Sequence, residues 1–294
     1  MLFMSSGKTS VGNYMSLVKI HHTIFSLPFA LIGFSLGIHD LASPISIRIL
    51  LLVILCVLFA RNAAMGFNRY TDRELDKKNP RTAFREIPKD IISPRSALFF
   101  VIINAILFIV TTGFINWVCL LLSPVALIVV LGYSFTKRFT WLSHLFLGLG
   151  LALAPIGAYL AVTARFDLLP VLYSLTVIFW VGGFDIIYAL QDIDFDREES
   201  LRSIPERFGI KKALWISALF HLLSVIFITV AGLLGPFHYL YWIGFALFVI
   251  LMVYQHVIVR PGDLSRVNLA FFTTNGIASV IYAVFVLLDI FLLK

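Results

Sequence analysis

The chain has 294 residues, of which 60% are hydrophobic and 13% charged, with a net charge of +7. Soluble domains carry roughly 25% charged residues, so this composition and a mean hydropathy of +0.96 exclude a water-soluble globular protein and indicate an all-α, polytopic membrane protein. The positive charge requires no nucleic-acid partner, because membrane topology and anionic lipid account for it.

The N-terminal segment, Met1 to His22, lacks the basic patch, short apolar core and small-residue cleavage site of a secretory leader, so it is expected to be retained, with the first span as the insertion signal. Apolar windows of roughly 20 residues predict nine spans, near 18–40, 46–68, 96–115, 117–134, 142–163, 168–191, 212–234, 238–259 and 267–292. An eight-span alternative merges 96–134, where only Asn116 and its neighbours divide the apolar run. No linker or low-complexity stretch interrupts the chain, so 1–294 reads as one domain.

His21 and His22 enter the first span, where an interfacial position explains them. Span two ends in Asn68, Asp72 and Asp76, four residues apart, so their oxygens share one helical stripe and suit a hard, partly hydrated cation. Taken alone, such a cluster reads as solvated or paired with Arg73 or Lys77. The loop that follows, Lys77 to Pro88, holds more basic residues than a connection needs. Arg81 and Arg85 offer the planar fork that matches phosphate oxygens, although topology alone also accounts for them. Between spans four and five, Tyr133, Lys137 and Arg138 can present a hydroxyl and two cations to one anion. Span six ends in a second cluster, Asp192 and Asp196, followed by Arg202 and Ser203. Two clusters of matching spacing at the same membrane face favour metal over solvation, and carboxylates, Mg²⁺ and cations together grip a diphosphate.

Arg61 and Asp185 each lie seven residues before a cluster, two helical turns deeper. Charges at that depth face a cavity or one another. Either they form an ion pair joining spans two and six, or Arg61 faces the cavity and receives a polar or anionic group of a second substrate. The similar placement of the two clusters points to an internal duplication, with two matched helix ends facing each other across a cavity. Asn62, Asn104, Asn275 and His144 read as interhelical hydrogen bonders, and Cys56 and Cys119 as small apolar residues. Nineteen of the 23 basic residues fall in the N-terminal segment or in connections after even-numbered spans, leaving Arg48, Arg61, Arg165 and Lys294 elsewhere. The positive-inside rule therefore places the N-terminus and both clusters in the cytoplasm, with the C-terminus outside.

Asn68-x3-Asp72-x3-Asp76 with Arg81, Thr82 and Arg85, Tyr133-x3-Lys137-Arg138, and Asp185-x2-Tyr188-Ala189-x2-Asp192-x3-Asp196 resemble the signatures of UbiA-type intramembrane aromatic prenyltransferases. The stretches His22 to Ala30 and Ala154 to Ala158 are similar to the quinone-pathway branch. The resemblance runs over most of the chain. It implies about nine helices around a central cavity that opens to the cytoplasmic side and laterally to lipid, in a multi-pass protein of the inner (plasma) membrane. It further implies Mg²⁺ at Asn68, Asp72, Asp76, Asp192 and Asp196. Arg81, Lys137 and Arg202 would help neutralise a polyprenyl diphosphate, and the acceptor would be a small aromatic such as 4-hydroxybenzoate, in ubiquinone or menaquinone synthesis. Many 4-hydroxybenzoate enzymes of that family carry Asp where this chain has Arg69 and Glu74, which makes a hydroxynaphthoate acceptor a competitor. The expected chemistry is loss of diphosphate followed by aromatic substitution, with an acceptor near Arg61 and with Asp185 or a second-cluster Asp taking the ring proton. A proton- or cation-coupled transporter is the rival class; it would place acids near the midplane with access from both sides.

Overall fold

The computed structural model describes residues 11–293, without the side chains of Ile20, His21 and His22. The expectations for Met1 to Ser10, Lys294, His21 and His22 lie outside those residues or side chains. The helices are α1 (Val11–Leu17), α2 (Leu27–Asp40), α3 (Ile47–Thr71), α4 (Arg73–Lys78), α5 (Pro94–Gly113), α6 (Trp117–Gly132), α7 (Ser143–Thr163), α8 (Leu168–Ala189), α9 (Ile193–Glu198), α10 (Ile204–Leu234), α11 (Tyr239–Ile258) and α12 (Asn275–Leu292). Among the described residues there is no strand, and nine helical segments are long and apolar enough to cross a membrane. This agrees with the nine predicted spans.

Helix starts follow from capping chemistry. Ser46, Ser93, Asn116, Asp167 and Ser203 each accept a backbone N–H from the first turn of their helix, supplying a partner that helix termini lack. Asn116 decides against the eight-span alternative: its Oδ1 accepts from Cys119 N at 2.9 Å while its amide donates to Leu160 O at 2.9 Å. It thus starts α6 and ties that start to α7. The first predicted span begins too early at residue 18, because Lys19 adopts a left-handed φ of 47° and Ile20–Phe25 forms a 3-10 turn. The seventh begins earlier than residue 212, at Ile204, where Ser203 and Glu206 have the spacing of a capping box. Gly209, with φ 73° and ψ 168°, leaves helical geometry and divides a short first stretch of α10 from the long one that follows.

Packing centres on α8, which is flanked by α7 and α10, while α2 lies on α7. Close approach is built into α2 and α7, since a Cβ at Gly33 would strike the backbone of Pro155. The largest buried cluster joins Phe29, Tyr173, Trp180, Tyr241, Phe248 and Tyr282. Asn275 lies within it, accepting from Trp180 Nε1 at 3.0 Å and donating to Gln255 Oε1 at 3.1 Å. Its amide also donates to Ala270 O, and the turn Leu269–Thr274 before α12 is π-helical, the local widening expected where a side chain enters the ladder. Asn62 and Asn104 join α3 to α5 at 3.2 Å. These asparagines are interhelical hydrogen bonders, as their sequence context indicates.

Candidate active site

The acidic clusters sit at two helix ends of the same construction. α3 stops at Thr71, and Asp72 occupies the break with φ −97° and ψ 7° before the six-residue α4 carries Asp76. α8 stops at Ala189, and after a short 3-10 turn Asp192 occupies a break with φ −109° and ψ 6° before the six-residue α9 carries Asp196. Each Asp pair therefore straddles a bend instead of lying on the one continuous helix the spacing implies. The backbone angles at the two breaks are nearly the same.

Both pairs line one cavity of about 640 Å³, together with Arg61, Asn68, Arg81, Arg85, Tyr133, Lys137 and Asp185. Asp192 accepts Nε of Arg81 on Oδ1 at 2.9 Å and Nη2 on Oδ2, a two-pronged pair of the strong, orienting kind. Arg81 also donates to Tyr188 Oη at 2.7 Å. Burial alone would lower its pKa, yet the bonds to Asp192 outweigh burial and hold it above the ordinary arginine value. Arg85 meets Asp76 at 2.5 Å, and Arg138 meets Asp72 at 3.3 Å. Asp72 also accepts the Asn68 amide at 2.9 Å. Burial, then repulsion from Asp76, pushes the Asp72 carboxyl above its usual range, with Arg138 pulling the other way. Lys137 lies 4.0 Å from Asp196 and within electrostatic reach of Asp185, Asp192 and Asp72.

Each of the four cluster aspartates thus has its own cation, and the loop after the first cluster reaches the second. Asn79, its backbone held extended before Pro80, donates to Asp192 at 3.2 Å. Among the described residues no three acidic, histidine or cysteine side chains form a ready-made metal cage. Mg²⁺ ordinarily takes one or two carboxylates, waters and substrate phosphates, so carboxylates on two facing walls suit it when a diphosphate lies between them. The buried Oδ2 atoms of Asp76 and Asp196 accept no hydrogen bond, and Lys137 already places a positive charge among the acids. The donor set fits such a cation.

Arg61 lines the cavity, and of the two readings for Arg61 and Asp185 the ion pair does not form. Arg61 donates to Val18 O at 3.3 Å, Thr23 Oγ1 at 3.1 Å and Lys19 O at 3.2 Å, fastening the chain before α2 to α3. Asp185 instead bonds His144 Nδ1 at 2.6 Å. His144 Nε2 accepts the Ile204 N–H, which leaves the imidazole proton on Nδ1 for Asp185. Three other predicted contacts lie outside the cavity lining. Arg138 occupies a shallow cleft beside it with Phe67, Tyr70 and Phe135. Arg202 donates from its backbone to Lys137 O at 2.7 Å and from its side chain to Phe139 O at 2.7 Å, so it holds the Lys137 segment in place. Ser203 caps α10. Sequence reasoning missed Asn79 and the Tyr188 hydroxyl, although the N-P-R run and the second motif contain them. It also missed that Arg69 is 7% exposed and lines the cavity, with no acceptor for its Nε–H.

A family model described as the UbiA prenyltransferase family matches residues 26–277. A 4-hydroxybenzoate octaprenyltransferase of Xylella fastidiosa (strain M12) is 29% identical over 226 residues, covering 76% of this chain and 74% of that one. A protein of the same name from Francisella tularensis subsp. novicida is 27% identical over 281 residues, covering 94% and 96%. The apo structure of a UbiA homolog from Aeropyrum pernix K1 superposes with a TM-score of 0.83 at 31% identity, covering 92% of this chain and 98% of that one. A UbiA homolog from Archaeoglobus fulgidus bound to GPP and Mg²⁺ shares the fold at a TM-score of 0.72 and 21% identity, covering 95% and 99%.

Proposed function

The chain belongs to the UbiA prenyltransferase family, as an integral multi-pass membrane transferase, and from that premise we propose that it transfers a polyprenyl group from a polyprenyl diphosphate to 4-hydroxybenzoate with Mg²⁺ as cofactor. The observation that carries this reading is the facing pair of acidic helix ends, each carboxylate matched to a cation, at the mouth of an apolar cavity. The names of the relatives and the Mg²⁺ and GPP of the Archaeoglobus homolog support it. The acidic end faces the cytoplasm of the inner (plasma) membrane, following the basic residues.

Asp72, Asp76, Asp192 and Asp196, aided by Asn68, would hold Mg²⁺. When bound, the metal supplies positive charge against the departing diphosphate. Arg81, Arg85 and Lys137 exchange their carboxylate partners for phosphate oxygens, with Tyr133 beside them, which stabilises the same developing charge. The bond from the allylic carbon to the diphosphate oxygen breaks, and its electron pair leaves with the diphosphate. The apolar walls exclude water from the cation left behind. A π-electron pair of the acceptor ring forms the new carbon–carbon bond, and the ring proton passes to Asp185, whose other oxygen is held by His144. Arg61 orients the acceptor's anionic group.

A hydroxynaphthoate acceptor is the second reading, favoured by Arg69, a buried guanidinium where many 4-hydroxybenzoate enzymes of the family carry Asp. The purified protein with labelled polyprenyl diphosphate, Mg²⁺ and a panel of phenols and naphthoates decides between them. The expected result is a chelator-sensitive prenylated 4-hydroxybenzoate. Product from naphthoates alone transfers the assignment to the second reading, and metal-independent product contradicts both.

A further inference from the structure

The cavity does not end below the charged mouth. Its lining continues past Arg61 to Val53, Cys119 and Phe166, near the opposite ends of α3, α6 and α7. Along α3, Val53 to Asp72 rises roughly 28 Å, close to the ~30 Å hydrocarbon thickness of a bilayer. The deep part offers no free polar partner at its hydroxyls: Thr112 and Ser123 donate back to carbonyls of their own helices, Ile109 O and Leu120 O. At the mouth, by contrast, Asp76, Asp196 and Arg69 each carry a polar atom without a hydrogen-bond partner on a side chain more than nine-tenths buried. The space suits a ligand charged at one end and apolar along the rest.

Gly157 of α7 lines this deep part. A helix-interior glycine costs about 1 kcal/mol relative to alanine, and at several other positions in the bundle that cost has a packing cause. A Cβ at Gly148 would collide with the backbone of Ile178, and one at Gly183 would collide with the His221 ring. At Gly157 nothing lies within 4 Å of where a Cβ would be. No neighbour requires glycine there, and what the missing side chain leaves behind is open cavity. Gly157 lies fourteen residues, roughly 21 Å, along α7 from Ser143 at the mouth.

Resting on the function proposed above, we propose that Gly157 sets the donor's length: its missing side chain keeps the tunnel open so that a long polyprenyl tail runs past it between α3 and α7 toward Phe166. The enzyme is then selective for long donors. A geranyl tail ends above Gly157 and gains nothing from the space below.

The test is a competition in which octaprenyl and geranyl diphosphates are offered together to the full-length protein in detergent with Mg²⁺ and acceptor, and the products are separated by mass. Gly157→Leu is expected to lower the ratio of octaprenyl to geranyl product about tenfold or more, the scale of a filled apolar subsite. A ratio within about twofold of wild type overturns the proposal. Should Gly157→Leu fail to fold, Cys56→Leu, on the α3 wall sixteen residues from Asp72, carries the same expectation and the same refutation. A wild-type protein that prenylates with neither donor refutes the transferase reading beneath, an outcome distinct from unaltered selectivity.

Discussion

The two ends of the cavity are specified in opposite ways. At the mouth, each cluster carboxylate is fixed by a named cation, and the loop after one acidic helix end is bonded to the other. In the deep half, side chains return their polar groups to their own helices, and the decisive position is a glycine with empty space beside it. On the proposed function, reaction chemistry would then depend on which residues are present, and tail selectivity on which atoms are missing. Substitutions at the mouth should change rate by orders of magnitude, while substitutions at depth should change preference.

The largest effect is expected from Asp72→Ala and Asp192→Ala, each reducing prenyl transfer by about 10³-fold or more, as when preorganised transition-state groups are lost. Retained membrane insertion and an intact thermal transition would show the loss to be chemical. Arg81→Lys keeps the charge but removes the two-pronged fork to Asp192, and should cost about 10²-fold in kcat/KM for the donor with a smaller change for the acceptor. A pH series gives the next contrast. Because burial and Asp76 raise the Asp72 carboxyl, protons compete with the cation at a higher pH than for an ordinary carboxylate. Activity at fixed Mg²⁺ should fall as pH drops through that range, and added Mg²⁺ should move the fall to lower pH. Arg138→Gln, which removes the group pulling the Asp72 carboxyl down, should move it to higher pH. Smallest is Asn104→Leu, outside both regions: loss of the bond to Asn62 should cost about 0.6 kcal/mol in thermal unfolding in detergent, with no change in product ratio.

Much of the architecture was legible because membrane spans and caps are local signals. Apolar windows found nine spans, although the start of the seventh was placed at 212 and the cap formed by Ser203 ahead of Ile204 was passed over. The two Asp motifs were legible for the same reason, as a fixed spacing repeated at a helix end. What was illegible depends on distant partners or on single backbone angles. The His144 to Asp185 bond joins residues 41 apart and left no periodic trace, so Arg61 was the more obvious partner for Asp185. Arg69 reads as an ordinary topology cation, and only the packed fold shows it buried at the cavity wall. Lys19 shifts the start of the first span through a positive φ value, which composition does not encode. Arg202 looked like a phosphate ligand, yet a nearby carbonyl captures its guanidinium.

The central claim is that both acidic helix ends act on one diphosphate through a shared cation site. The most direct measurement is Mg²⁺-dependent binding of inorganic pyrophosphate to the purified protein by calorimetry, comparing wild type with Asp72→Asn and Asp192→Asn. Wild type should bind only when Mg²⁺ is present, and each single variant should lose that dependence. Wild-type Mg²⁺-dependent affinity in either variant would contradict a site built jointly from the ends of α3 and α8.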